Sequence, residues 1–235
     1  MKTIGIIGGI SWLSSAEYYR IINEMVNERL GGVNSAKIIL YSVNYEEIKT
    51  LTFSGDWQGI ATMISSIAVN LEKAGADCIL LGANTMHKIA GEVQAAISVP
   101  LLHIADVTGK AIQQLNLTKC ALLGTKYTME MGFYQQQLEQ YNITTLLPGE
   151  ADRQFIHDAI YNEMGKNIFL ASTKEKIIAI IDGLRKEGAE GVILGCTEIP
   201  LMIQQQDCAI HVFDTTQIHA AAAVAFALEE NFFVR

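Results

Sequence analysis

Residues 75–85 read GADCILLGANT and residues 188–198 read GAEGVILGCTE. The two stretches superpose without a gap, so Cys196 falls on Ala83, each preceded by a glycine and followed by polar residues. KTIGIIGG at 2–9 matches TKCALLGT at 118–125 in the same way, and Tyr18 falls on Tyr134 at the same offset. A chain that writes one α/β unit twice is constrained to build two similar sheets. Matched strand ends then present matched residues, and the expected result is a cleft with a ligand addressed from two sides. One side offers a thiol at Cys196 and the other a methyl group at Ala83.

The strand pattern supports this reading. Short runs rich in Ile, Leu and Val lie at 3–8, 37–43, 77–82, 100–103, 119–124, 142–147, 190–195 and 209–212. They do not alternate with polar residues, as befits strands of a parallel sheet covered on both faces. Amphipathic stretches between them predict helices at 14–30, 57–74, 86–97, 106–115, 129–140, 151–164, 172–187 and 215–230. Strand–helix alternation makes right-handed βαβ units the default. In 57–74, Ile60, Met63, Ile64, Ile67 and Leu71 form one helical stripe, and Gly75 supplies the stop. Ile177, Ile180, Ile181, Leu184 and Gly188 repeat that arrangement. The expected fold is therefore α/β, with two pseudo-symmetric parallel-sheet domains. The first spans 1–99 plus 209–235 and the second 100–208, with the seam at the segment containing Pro100.

The chain has 235 residues, half of them apolar, and a mean hydropathy of +0.23, enough for a large buried core. Its formal charge of −8 argues against nucleic acid and anionic membranes as partners. No run reaches the roughly 18 apolar residues of a membrane span, and MKTIGIIGGISW reads as a buried strand rather than a signal peptide. A cytoplasmic protein is expected. The four cysteines show no C-x-x-C, so free thiols are expected and no metal. GIIGGIS lacks the G-x-G-x-x-G spacing, and there is no G-K-[ST], which leaves nucleotide binding weakly supported.

In open α/β sheets, ligands gather beyond the carboxyl ends of the strands. Four such ends carry small and polar residues: Gly8-Gly9-Ile10-Ser11, Asn84-Thr85, Gly124-Thr125 and Cys196-Thr197-Glu198. Each leads toward an expected helix N-terminus, where unpaired N–H groups suit a carboxylate. Thr85, Thr125 and Thr197 serve equally well as plain N-caps. A helix N-terminus would lower the pKa of Cys196 and make it a proton acceptor or nucleophile. Cys78, Cys120 and Cys208 read as packing residues. His87 is placed to donate to a ligand or polarise a neighbour. His219 is placed for support from one turn into the last helix. Glu198 is placed to bind an ammonium group, orient the thiol, or simply favour a first helical turn.

These motifs together resemble the aspartate/glutamate racemase superfamily over essentially the whole chain. GIIGGIS at 5–11, ANTMHK at 83–88, LLHIAD at 101–106, LLGTKYTM at 122–129, ILGCTEIP at 193–200 and FDTTQIHA at 213–220 carry the likeness. The resemblance implies a cofactor-independent racemase, a homodimer, acting on acidic or broad-range amino acids of the aspartate/glutamate type. Two residues on opposite faces of the substrate exchange its α-proton. It implies Cys196 as one acid/base, with Thr85 and His87 as candidates for returning the proton. Gly9, Ser11, Asn84, Thr85, Thr125, Thr197, Glu198 and His219 are the candidate substrate contacts. The partner cysteine or threonine of the family falls on Ala83, which carries no proton. A lysine that some aspartate racemases place after I-Y-x-E-I is displaced too, since IYNEM is followed by Gly165 and then Lys166. Three readings stay open: a racemase whose activity is weak, altered or engineered out at Ala83, a lyase that protonates a carbanion with one cysteine, and a non-enzymatic binder.

Overall fold

A computed structural model describes residues 1–230 and divides the chain into two compact units, Met1–His103 with the chain from His219 onward, and Ile104–Ile218. The first unit runs β1 (Thr3–Gly8), α1 (Trp12–Leu30), β2 (Lys37–Ser42), α2 (Tyr45–Ser54), α3 (Trp57–Lys73), β3 (Cys78–Leu81), a 3₁₀ turn (Asn84–Ile89) and α4 (Ala90–Ala96). The second runs α5 (Ile104–Gln114), β4 (Lys119–Gly124), α6 (Lys126–Glu130), α7 (Phe133–Glu139), β5 (Thr144–Leu146), α8 (Glu150–Asn162), α9 (Ala171–Lys186), β6 (Gly191–Gly195) and β7 (His211–Asp214). Helix α10 (Thr215–Leu228) starts in the second unit and continues into the first.

The first sheet has the order β2-β1-β3 and the second β5-β4-β6-β7, all parallel. The duplication is visible in the ladders. Ile4 pairs with Cys78 in one sheet, and their counterparts Cys120 and Gly191 pair in the other. Tyr18 and Tyr134 are both fully buried.

Central strands are covered on both faces, as the unbroken apolar runs require. Ile4 and Ile6 pack with Tyr18, Ile22 and the small residues Ala220, Ala223 and Ala227 of α10. Ile7, on the other face of β1, packs with Ile60, Ile64, Ile67 and Leu71 of α3. The stripe expected on α3 is therefore buried, at about 1.5–3 kcal/mol per side chain. Gly75 and Gly188 close α3 and α9 with φ of +98° and +100°, a left-handed stop that permits the Ala76 N–H to reach Leu71 O and the Ala189 N–H to reach Leu184 O.

Several expectations are corrected. β2 lies at a sheet edge and leaves Leu40 and Tyr41 exposed, so it is not covered on both faces. The strand expected at 100–103 is reduced to one bridge between Leu101 and Ile79, since Pro100 has no N–H to extend a ladder. The helix expected at 86–97 divides into the 3₁₀ turn and α4, and that at 129–140 into α6 and α7. Helix α2 has no counterpart among the expected helices, although Asn44 caps it by accepting from the Glu46 N–H. Only Ile48 and Thr52 of α2 are buried, too few to print a periodic stripe.

The unit boundaries also differ from 1–99 plus 209–235 and 100–208. β7 hydrogen-bonds to β6, which holds residues 211–214 in the second unit. Residues 100–103 stay with the first through the Leu101 bridge. The expected return of the last helix to the first domain is seen in the alanine packing on β1, though the helix ends at Leu228. Residues 231–235, placed in that first domain from sequence, lie outside the described residues.

Candidate active site

In the first unit the candidate residues lie at the ends of β1 and β3. Gly9 has φ +85°, and a Cβ there would stand 2.2 Å from Val43 O, so this position admits only glycine. The turn is held by the Gly9 N–H, which donates to Ser15 Oγ at 2.7 Å. Ser11 occupies the N-cap of α1 without a side-chain cap bond. Sequence reasoning misses Ser15 in this turn. Its only signal is its position one helical turn beyond Ser11.

Beyond β3, Ala83 is extended and partly buried, and Asn84 and His87 are buried, while Thr85 is half-buried. His87 Nδ1 lies 3.2 Å from Ala83 O. A carbonyl only accepts, so Nδ1 carries the proton and Nε2 presents a lone pair that has no hydrogen-bond partner among the described residues. The expectation that His87 donates to a ligand is corrected accordingly, because its proton holds the backbone at residue 83. His103 stands 4.8 Å and His219 5.5 Å from His87, ring centre to ring centre. His219 Nε2 donates to Leu102 O at 2.7 Å, which leaves Nδ1 to accept from the Tyr18 hydroxyl at 2.8 Å. His219 thus ties α10 to α1 and to the Leu102 backbone. His103 escapes sequence reasoning although its motif stands out, since nothing in LLHIAD separates a packed histidine from a surface one.

Burial holds His87 well below the usual imidazole range, and the nearby His103 and His219 rings push the same way. Burial also drives His219 down to about 4. The folded chain therefore refuses protons that the unfolded chain accepts. Stability is present above pH 6.5, the ordinary histidine value, and is lost as the pH falls from there toward about 4. The His219 share is about 3 kcal/mol. Urea unfolding at pH 7.5 and pH 4.5 should show this loss, and His219→Gln should flatten the slope. A parallel slope in both proteins would refute the assignment.

In the second unit the candidate residues lie at the ends of β4 and β6. Gly124 and Gly195 are paired, so Thr125 and Cys196 come next at the same level of the ladder. Thr125 Oγ1 accepts from the Thr128 N–H at 3.3 Å, the plain capping role. Cys196, Thr197 and Glu198 are all buried. The Cys196 thiol donates to Glu198 Oε2 at 2.9 Å, and the Thr197 hydroxyl donates to the same oxygen at 2.8 Å. Thr197 is therefore not an N-cap, and Glu198 does not begin an α-helix. The chain continues instead into a three-residue 3₁₀ turn, Ile199–Leu201.

This changes the chemistry of the thiol. The expectation of a lowered pKa needs a helix N-terminus, and none is there. Burial pushes Cys196 well above the ordinary thiol value, and the Glu198 carboxylate adds to the shift. At rest Cys196 is a proton donor with a base already in contact. Cys78 and Cys120 are buried packing residues, each pushed up to about 12 mainly by desolvation.

Among the described residues, no group of three or more His, Cys, Asp or Glu is placed to hold a metal ion, and no helix is long and apolar enough to cross a membrane.

Comparison with known proteins gives a consistent result. A family model described as Asp/Glu/hydantoin racemase matches residues 7–223. A solved structure from Yersinia pestis, a candidate Asp/Glu racemase, is 47% identical with a TM-score of 0.92, covering 97% of this chain and 100% of that one. An aspartate racemase homologue from Pyrococcus horikoshii is 34% identical with a TM-score of 0.86 over the same shares. The broad specificity amino-acid racemase RacX of Bacillus subtilis is 25% identical, covering 94% of this chain and 96% of that protein.

Proposed function

Since the chain belongs to the Asp/Glu/hydantoin racemase family, we propose that it exchanges the α-proton of an aspartate- or glutamate-type amino acid without a cofactor, with Cys196 as the acid/base group. The observation that carries this reading is the buried contact between the Cys196 thiol and Glu198. The thiol proton passes to the Glu198 carboxylate, and the thiolate then takes the α-proton from the substrate. The carbanion recovers a proton either from the re-formed thiol, with retention, or from the opposite face, with inversion. One side chain does not reach both faces of a clamped carbon, so inversion needs a second carrier.

Ala83 supplies none, and the His87 proton is held by the Ala83 carbonyl. Thr85, or a water it orients, is the remaining carrier in this reading, and exchange with retention outpaces inversion. We propose a homodimer as the working form. Ala83 also favours a second reading, decarboxylation, in which loss of CO₂ creates the carbanion and a single thiol protonates it. Retained binding without any proton exchange would instead mark a non-catalytic binder.

Incubation with L-glutamate or L-aspartate in D₂O, followed by NMR and chiral analysis, separates these outcomes. Loss of the α-proton signal with mostly L product is the expected result. Silence toward every amino acid, with CO₂ release from an aminomalonate or arylmalonate, would replace this reading with the lyase. Ala83→Cys is expected to raise inversion at least tenfold, worth about 1.4 kcal/mol of barrier. A folded A83C protein with an unchanged D/L ratio would show that residue 83 does not serve the second face.

A further inference from the structure

We infer that the open edge of the first sheet joins two copies of this chain, β2 against β2, antiparallel, with Leu40 on the two-fold axis. The inference deepens the homodimer reading and rests on it, and it does not depend on the chemistry at Cys196. β2 ends the strand order β2-β1-β3, and Lys37, Leu40, Tyr41 and Ser42 are exposed. The Val43 N–H turns inward and donates to Gly8 O at 3.0 Å. Backbone groups alternate along a strand, so residues 37, 39 and 41 bond to β1, while Ile38, Leu40 and Ser42 turn their N–H and C=O groups to the open edge. The preceding outward group, the Ala36 N–H, already donates to Asn23 Oδ1 at 3.0 Å. The edge open to pairing therefore runs from Ile38 to Ser42.

The duplication supplies a comparison. β5 is the counterpart of β2 in the second sheet, and it is built as a protected edge: three residues, two of them threonine, with no exposed large apolar side chain. β2 has six residues, KIILYS, and exposed aromatic side chains on both of its flanks. On the α1 side, Trp12, Tyr19 and Asn23 share one helical stripe, and the bond from Ala36 to Asn23 sets that stripe along the edge. Leu40 shares this face, since a Cβ on Gly8 would stand 3.0 Å from both Leu40 Cδ1 and Ser15 Cβ. On the other face, Tyr41 leads into α2 with its exposed Tyr45 and Phe53. An apolar edge of this length pairs with another strand unless something blocks it.

Two features select a second copy as that strand. Centred on Leu40, two β2 strands make about six N–H···O=C bonds, because Leu40 faces Leu40 and each Ile38 faces a Ser42. Reversal of the strand also brings Lys37 of each copy beside Val43 of the other, at the entry to α2, whose first turn carries Glu46 and Glu47. Lys37 and Glu47 enter no ion pair within the chain among the described residues. The two-fold axis gives each Lys37 a carboxylate-bearing turn and repeats the contact on the other side.

Sedimentation velocity should give a dimer for the wild-type chain. Leu40→Lys sets two like charges against each other at the axis and should give a monomer with an unchanged circular dichroism spectrum. Tyr41→Lys, at a more exposed position, tests the same edge should Leu40→Lys fail to fold. Lys37→Glu and Glu47→Lys should each weaken dimerisation roughly tenfold, and the double variant K37E/E47K should recover most of the loss. Leu40→Cys should form a disulfide dimer on mild oxidation, since opposed residues of such a pair stand about 5.5 Å apart, Cα to Cα, within disulfide reach. The wild-type chain, with Cys78, Cys120 and Cys196 buried, is the control for that reaction. A dimer that survives Leu40→Lys or Tyr41→Lys, and that Leu40→Cys does not cross-link, keeps the homodimer and overturns this interface. A wild-type chain that sediments as a monomer overturns both.

Discussion

Cys196→Ala is expected to reduce α-proton exchange by about a thousandfold, the middle of the range for a positioned acid/base group, or about 4 kcal/mol of barrier. The thiol proton at this strand end already points at a base, the Glu198 carboxylate. Alanine keeps the small apolar volume that Cys196 contributes to its cluster with Met164, Ile199 and Ile203. The loss should therefore appear in exchange and not in the unfolding midpoint. NMR of L-glutamate in D₂O measures the first and urea titration the second. A folded C196A protein that still exchanges within tenfold of wild type would remove the sulfur from the mechanism.

Glu198→Gln is expected to lower exchange about a hundredfold while making the thiol easier to ionise. The two effects run in opposite directions. Glu198 raises the pKa of Cys196 by its charge and by accepting the thiol proton. Glutamine removes the charge, so the thiolate fraction near neutral pH increases, and iodoacetamide should label Cys196 faster. If Glu198 only suppressed the thiolate, exchange would rise together with labelling. If Glu198 is the base that takes the thiol proton, exchange falls although labelling rises. Parallel measurement of both rates in E198Q decides between the two roles.

Much of the fold is legible in the sequence because it is written in unbroken apolar runs. Runs of Ile, Leu and Val at 3–8, 119–124 and 190–195 become central parallel strands, and the stripe on α3 points into the core. The exceptions are places where a short run has only one neighbour. KIILYS reads as apolar as a central strand, but its position at the edge of the sheet is a property of strand order. Sequence reasoning puts β7 in the other half for the same reason, since its pairing with β6 is a property of strand order.

The candidate site divides in the same manner. The alignment of the repeated segments picks out Cys196 and Ala83 from sequence alone, and the glycine at position 9 is dictated by the turn it must make. The protonation of that site is not legible. Thr197 and Glu198 look like helix-capping residues when read along the chain, and only the fold shows both Thr197 and Cys196 donating to one buried carboxylate oxygen. His87, His103 and His219 are spread over more than a hundred residues of sequence and meet only in space.

The order of amino acids by itself determined a duplicated α/β chain and the strand ends that matter, because hydrophobic period and repeat are local properties. The tertiary structure alone decided which groups carry protons. A pKa answers to burial and to charges within a few ångströms, and those neighbours come from the fold.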